Sequence, residues 1–232
     1  MTGNYHLPDD VREEITALSA TGGYDSSRLI ELLADAAQLY NRGRFKEALS
    51  LSRKVLNELP GSVSARELTG LCCYASGKWR EAVTYLQWVV DTTGDPTQIP
   101  TLMDACRAQG DYGRVESFYR KLQQSSPPAD VMAEGRIVFA EFLATQGMVA
   151  DGIRLLEEAG ARKKIRNPQR RHFRQWYVLG DLYEKAGNIV SARRMFELVV
   201  AHDDGETDAR DRLSFIGRND RNRKVVNSRL RQ

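Results

Sequence analysis

The sequence is poor in cysteine and has no long apolar run. Its three cysteines, two of them adjacent at positions 72 and 73, cannot form a disulfide framework. No apolar stretch approaches the roughly 18 residues that a membrane span needs. The first residues, MTGNYHLPDDVREE, lack the basic and apolar segments of a secretory signal. We therefore expect a cytoplasmic protein that does not enter a membrane.

Motifs for catalysis and cofactor binding are also missing. The sequence has neither a G-x-x-x-x-G-K-[ST] loop nor a strand followed by G-x-G-x-x-G. His6, His172 and His202 are dispersed, and the spacing of histidines and cysteines does not suit zinc. Cys73 and Cys106 precede two equivalent glycines, which predicts a pair of buried thiols. We predict no enzymatic activity, no catalytic residue, no metal and no cofactor.

Charge is unevenly distributed along the chain. Residues 162–174 hold seven Lys or Arg and no acid, and residues 217–232 hold six and one acid. Removing these 13 basic residues and one acid from totals of 34 and 31 leaves 21 basic and 30 acidic residues. An acidic body therefore carries two basic segments, which the overall charge of +3 conceals.

In place of such motifs, the sequence repeats a glycine that follows helix-like segments. The spacings between these glycines are 34, 33, 37 and 40 residues. Apolar residues recur at helical intervals before and after each glycine, so each unit predicts two helices joined by a left-handed turn. Almost no segment alternates with period two, which argues against a sheet. The repeated glycines are Gly43, Gly77, Gly110, Gly147 and Gly187.

The fifth unit carries the pattern W-x2-L-G-x2-Y followed by A-x3-F. This pattern and the period resemble the tetratricopeptide repeat, whose signature residues are matched by Trp176, Leu179, Gly180, Tyr183, Ala192 and Phe196. The resemblance implies an all-α fold, a right-handed superhelical solenoid of antiparallel helix hairpins with terminal capping helices. Gly180 and Ala192 would be small because the two helices approach closely, while Trp176 would fill the core.

The predicted organisation has five repeats between two terminal segments. The third and fourth repeats are degenerate, because Met103 and Ala140 replace the signature glycine and Gly152 replaces the second-helix alanine. The repeats are predicted at 29–62, 63–95, 96–129, 133–166 and 173–206. They lie between an N-terminal segment, 1–28, with a capping helix at 9–20, and a capping helix at 207–217 with a basic, flexible tail at 218–232.

In the family, the first helices of the repeats line a concave groove that receives a peptide or partner protein. One subfamily clamps a carboxylate there with basic residues, but the matching positions here are Leu33, Ala37, Glu67, Leu71, Pro100 and Asp104, so we expect no such clamp. The groove would suit a basic or mixed segment with apolar anchors, unless it is simply a solvated face. Its predicted residues are Tyr40, Glu67, Leu71, Tyr74, Asp104, Arg107, Glu141, Tyr177, Asp181 and Glu184.

Four apolar residues at the N-terminal end of this face leave two interpretations open. Either the helix at 9–20 covers them, which we favour, or they receive an amphipathic partner helix. These residues are Ile30, Leu33, Ala37 and Tyr40.

Three arginines, Arg170, Arg171 and Arg174, follow Asn167-Pro168, which predicts a helix start there. Cations are unfavourable in the first turns of a helix. Either acids of the body, such as Glu157 and Glu158 in the preceding helix, compensate them, or they bind an external anion.

The sequence thus predicts a scaffold that binds another protein or peptide. The alternative is RNA or ribonucleoprotein binding through the basic segments 162–174 and 218–232. The partner and the oligomeric state stay open at this stage.

Overall fold

The computed structural model describes residues 5–162, 165–202 and 207–216, and all regular elements within these ranges are helical. The predicted all-α class is therefore confirmed. The chain divides into two compact units, Met1–Ser125 and Ser126–Gln232. Two consecutive prolines, Pro127 and Pro128, lie between the last helix of one unit and the first of the next. Proline cannot donate a backbone hydrogen bond, so this segment does not continue a helix.

The N-terminal unit contains one leading helix and three hairpins. The leading helix is α1 (Asp9–Gly22). The hairpins are α2 (Ser26–Asn41) with α3 (Phe45–Glu58), α4 (Val63–Ala75) with α5 (Trp79–Thr93), and α6 (Ile99–Ala108) with α7 (Tyr112–Gln124). A 3-10 turn, Pro96–Gln98, precedes α6. Ser62 fixes the start of α4, because its hydroxyl accepts a hydrogen bond of 3.1 Å from the Ala65 N–H.

The C-terminal unit contains two hairpins and one short helix. The hairpins are α8 (Ala129–Thr145) with α9 (Val149–Glu158), and α10 (Arg170–Lys185) with α11 (Ile189–Val200). Residues 209–216 form the short helix, which we call the C-terminal capping helix. The predicted tail at 218–232 lies outside the described residues.

The five repeated glycines make the turns within the hairpins. All of them have φ between 72° and 79°, the left-handed region in which glycine is unstrained. At the first turn, the Gly43 N–H donates to the Tyr40 carbonyl at 2.9 Å. The next N–H, of Arg44, donates to the Leu39 carbonyl at 2.9 Å. These bonds satisfy carbonyls at the end of α2 and turn the chain into α3.

Small residues permit the close approach of paired helices. A Cβ added to Gly180 would lie 2.9 Å from a ring carbon of Phe196 on α11. A Cβ on Gly152, which the sequence marked as a departure from the signature, would lie 2.8 Å from the Ala140 carbonyl oxygen of α8. The fourth repeat thus replaces the usual alanine with glycine where α9 touches the backbone of α8.

Trp176 anchors the core of the C-terminal unit, as the signature predicts. Its side chain is buried, and its Nε1–H donates a 2.8 Å hydrogen bond to the Ala161 carbonyl. Ala161 lies just after α9, so the indole holds the non-helical connection against α10. The same core contains Leu179, Tyr183 and Phe196.

The predicted start of the fifth hairpin is wrong by a few residues. Asn167 and Pro168 lie in the connection, and α10 begins at Arg170 after Gln169. His172 takes the capping role, since its Nδ1 accepts a 2.8 Å hydrogen bond from the Gln169 N–H. A histidine at the third helical position thus replaces the expected asparagine cap.

Candidate functional site

All ten residues predicted for the groove lie on the first helices of the hairpins, and all are partly exposed. On α4, Glu67, Leu71 and Tyr74 follow the spacing i, i+4, i+7, which places them on one face of the helix. On α10, Tyr177, Asp181 and Glu184 have the same spacing. We call these two sets the α4 face and the α10 face, and each belongs to a different unit.

A hydrogen-bonded chain links the α4 face to α6. The Tyr74 hydroxyl donates to Asp104 Oδ2 at 2.5 Å, and its ring meets the edge of Trp79 with a centroid distance of 5.3 Å. Arg107 donates to the other oxygen of Asp104 from Nε at 3.0 Å and from Nη2 at 2.5 Å. The Asp104 carboxylate therefore binds an aromatic and a cationic group in fixed positions on the exposed side of the hairpins.

Glu67 stands at the other end of the α4 face. Its carboxylate accepts a 2.7 Å hydrogen bond from Gln98. Partial burial raises the pKa of Glu67, the bond from Gln98 opposes this, and the negative charges of Asp95 and Glu14 raise it further. This part of the face is acidic and suits a cationic group, which would relieve that repulsion.

The leading helix covers the N-terminal end of the first-helix surface. Ile15 of α1 and Leu33 of α2 are buried in one cluster, against which Ile30 and Ala37 pack in part. The Glu14 carboxylate of α1 also accepts hydrogen bonds from the backbone and side chain of Ser64 at the start of α4. For Ile30, Leu33 and Ala37 the structure shows the intramolecular cover, whereas Tyr40 packs against a different cluster that contains Ala48 and Cys72.

The C-terminal capping helix covers the α10 face in a different way. Arg212 donates from Nη2 to Asp181 at 2.9 Å and to Glu184 at 2.8 Å, and its guanidinium stands 5.2 Å from the centroid of the Phe196 ring. The Tyr177 hydroxyl donates to the Asp208 carboxylate at 2.6 Å. Three groups expected to meet a partner are therefore bound by the chain itself.

The charges at the α10 face are stabilised by these contacts. Burial alone would raise the pKa of Asp181, but hydrogen bonds from Lys185 and Arg212 hold it below its ordinary value. Burial, followed by the hydrogen bond to Asp208, raises the pKa of Tyr177 to about 12. At neutral pH the Asp181 carboxylate is therefore charged and the Tyr177 phenol is neutral. These are the states that can accept from Arg212 and donate to Asp208, respectively.

Comparison with known proteins identifies the architecture. The family described as anaphase-promoting complex, cyclosome, subunit 3 matches residues 18–89. A thermophilic tetratricopeptide repeat protein of Thermus thermophilus superposes with a TM-score of 0.65 at 19% identity, over 80% of this chain and 96% of that one. A tetratricopeptide repeat protein of Parabacteroides merdae gives 0.66 at 14%, over 90% of this chain and 78% of that one. No curated protein sequence matches the chain.

The chain has the fold of tetratricopeptide repeat proteins. The superpositions at these identities establish the fold, and the family match covers only part of the chain. The predicted arrangement of helix hairpins is confirmed.

Two of the three arginines at the start of α10 are paired with acids of the C-terminal unit, as one of the two alternatives predicted. Arg171 pairs with Asp130, and Arg174 Nη2 lies 2.9 Å from Glu134 Oε2, both acids belonging to α8. Glu157 of α9, one of the two acids named as examples, instead accepts the Tyr183 hydroxyl and lies 3.1 Å from Arg162. Sequence proximity suggested α9, but the first helices α8 and α10 lie side by side.

Cys72, Cys73 and Cys106 are buried, and burial raises the pKa of Cys72 to about 12 and of Cys106 to about 11. Within the described ranges, no cluster of three or more histidine, cysteine or acidic side chains is arranged to hold a metal ion. No helix in the same part of the chain is long and apolar enough to cross a membrane. Lys163 and Lys164 lie outside the described residues.

Asp208 and Arg212 were not among the residues predicted for the site. A signal was present in the sequence, since α10 carries two acids and the described residues that follow α11 include an arginine. An arginine in the next helix is the natural counterion.

Proposed function

We propose that this protein is a non-enzymatic scaffold that binds a partner protein or peptide through the exposed faces of its first helices. Tetratricopeptide domains generally mediate protein–protein interaction, and the link from that fold to this chain rests on analogy. The observation that supports the proposal best is the Tyr74–Asp104–Arg107 chain between α4 and α6. It holds an aromatic ring and a cation in place beside the partly exposed Leu71.

The α4 face fits a partner segment with both apolar and basic groups. Leu71 and Tyr74 offer apolar contact, and Tyr74 is already immobilised, so little side-chain entropy is lost on binding. Glu67 and its acidic neighbours attract a lysine or arginine of the partner. The cytoplasmic location predicted from the sequence stays a prediction.

Co-purification with matched variants tests this proposal. The variant Tyr74→Ala/Asp104→Lys removes the aromatic anchor and reverses one charge on the first-helix side of the N-terminal unit. The control, Tyr112→Ala/Glu116→Lys, makes the same two changes on exposed positions of α7, a second helix. Both variants must retain the circular-dichroism spectrum of the wild type.

We expect proteins captured by the wild type to be lost with the α4–α6 variant and retained with the α7 control. Loss with the control alone would place the binding surface on the second helices. An unchanged set of captured proteins in both variants would contradict the proposal.

RNA binding through the basic segments has no observation in its favour. Arg171 and Arg174 are paired with acids of α8, and the segment 218–232 lies outside the described residues.

A further inference from the structure

The C-terminal capping helix depends on its contacts for its own conformation. Its described residues are 209–216. Most of the stability of a helix in a protein comes from the tertiary packing of its apolar face. The contacts of the capping helix with the rest of the C-terminal unit therefore decide how firmly it is held.

Those contacts are few and partly open to solvent. Ala209 and Ile216 are buried and Leu213 is partly buried, but Phe215 remains 56% exposed. The ionic contacts are also accessible, since the side chains of Arg212, Asp181 and Glu184 are 28%, 23% and 25% exposed. Ion pairs with this access to water are weak and are screened by salt.

The docked helix nonetheless shows which chemistry the α10 face accepts. Asp208, just before the helix, accepts the hydrogen bond of the Tyr177 hydroxyl, and four residues later Arg212 donates to Asp181 and Glu184. The apolar residues of the capping helix recur at i, i+4 and i+7, so they share one side of the helix. The contact of residues 208–216 with α10 resembles the contact of α6 with α4. In each, an acid accepts the hydrogen bond of a tyrosine hydroxyl, and an arginine lies nearby.

We propose that the α10 face is an exchangeable binding site, at which an amphipathic partner helix carrying an arginine, preceded four residues earlier by an aspartate, replaces the chain's own residues 208–216. The intramolecular helix then acts as a competitor that only a better-fitting helix displaces. This inference rests on the proposed function in taking the first-helix faces as the protein-binding surface, and it specifies the partner for the C-terminal unit.

A synthetic peptide of residues 205–217, labelled with fluorescein, tests the exchange by anisotropy titration on the full chain. The closed helix reduces the apparent affinity in proportion to the fraction of molecules in which the face is free. Arg212→Ala in the chain weakens the internal helix without altering the α10 face. We therefore expect the peptide to bind this variant up to about fivefold more tightly than it binds the wild type.

Matched peptides test whether the α10 face recognises the side chain of Arg212. The peptide with Arg212→Ala is expected to lose binding, while the peptide with Arg210→Ala, changed at an exposed position of the same helix, binds like the parent. The chain with Asp181→Lys/Glu184→Lys is expected to reject the parent peptide and to accept the peptide with Arg212→Glu. If circular dichroism shows that the Arg212→Ala chain has lost helix content, this chain and peptide with reversed charges still test the proposal.

Three results would overturn the proposal. The first is equal peptide affinity for the wild type and a folded Arg212→Ala chain, and the second is peptide binding that ignores both charge reversals. The third is a concentration-dependent dimer, seen by light scattering and lost with Arg212→Ala, which would assign the face to a second copy of this chain. Because the titration uses no captured protein, its failure is distinguishable from failure of the co-purification experiment.

Discussion

The two units cover the ends of their first-helix surfaces by different physical means. In the N-terminal unit, α1 buries Ile15 and Leu33 completely or nearly so, in a cluster of aliphatic side chains. In the C-terminal unit, the capping helix buries Ala209 and Ile216 and adds an ionic contact of Arg212 with two partly exposed acids. Charge screening does not weaken apolar burial, whereas an exposed ionic contact weakens as salt is added. We therefore expect the first cover to stay closed and the second to open reversibly.

The largest effect is expected from Ile15→Ala, which attacks the apolar cover. The side chain has no solvent exposure, so the truncation should lower the free energy of unfolding by about 2–5 kcal/mol. Ile15→Val is the matched control and should cost about 0.5–1.5 kcal/mol. Urea denaturation followed by circular dichroism measures both. A loss in Ile15→Ala no larger than that in Ile15→Val would show that α1 is not held by burial.

Glycine substitutions test the close approach in both units. Gly70→Ala and Gly180→Ala place a Cβ 2.7 Å from Leu86 and 2.9 Å from Phe196, respectively. We expect each to lower stability by about 1–3 kcal/mol through overpacking. Gly113→Ala is the control, because its Cβ would meet nothing within 4 Å in the helical α7. It should be neutral or stabilise by up to about 1 kcal/mol, and equal losses at all three positions would refute the packing explanation.

The repeat pattern determined much of the fold in advance. The glycine turns, the buried Trp176 and the contact of Gly180 with Phe196 all follow from the tetratricopeptide signature, because each is a local or adjacent-helix feature. The start of α10 at Arg170 could not be predicted in the same way. Proline was expected to open the helix, but a His172 side chain provides the cap instead.

The sequence predicted where the candidate site lies but not which contacts its residues make. Helical spacing placed the α4 and α10 faces correctly on first helices, yet it could not show that their polar groups are engaged by neighbouring helices. Which acid pairs with Arg174 depends on which helices lie side by side, and Glu134 is 40 positions away in the sequence. Such a contact arises from tertiary packing, of which a single sequence carries no direct record.

Arg212→Ala should have a smaller effect than the core changes. It removes the ionic contacts with Asp181 and Glu184, which are accessible to water, so we expect a loss of about 1 kcal/mol in stability at low salt. The loss should shrink as salt is added, while that of Ile15→Ala should not change. Arg210→Ala, an exposed change in the same helix, is the control. A loss with Arg212→Ala that is the same at all salt concentrations would point to packing against Phe196 in place of charge.

The smallest effect concerns the titration of Tyr177. Its raised pKa means that the contact with Asp208 contributes fully below pH 10, the ordinary tyrosine value, and is lost as pH rises towards about 12. Phenolate absorbance measured through an alkaline titration should show late-titrating tyrosines, one of which disappears in Tyr177→Phe. Tyr183, with a pKa of about 12, should remain in the late group as an internal control. If Tyr177→Phe instead removes a group that titrates near pH 10, the hydroxyl is not bound as described.

Hydrogen exchange followed by mass spectrometry tests the contrast between the two covers most directly. The wild-type chain is exchanged at about 0.05 M and at about 1 M salt, between which the screening length falls severalfold. We predict that the amides of residues 209–216 lose protection at high salt, while those of α1 keep theirs. Equal protection of 209–216 in both solutions, or a parallel loss in α1, would contradict the account of a C-terminal cover that opens reversibly and an N-terminal cover that stays closed.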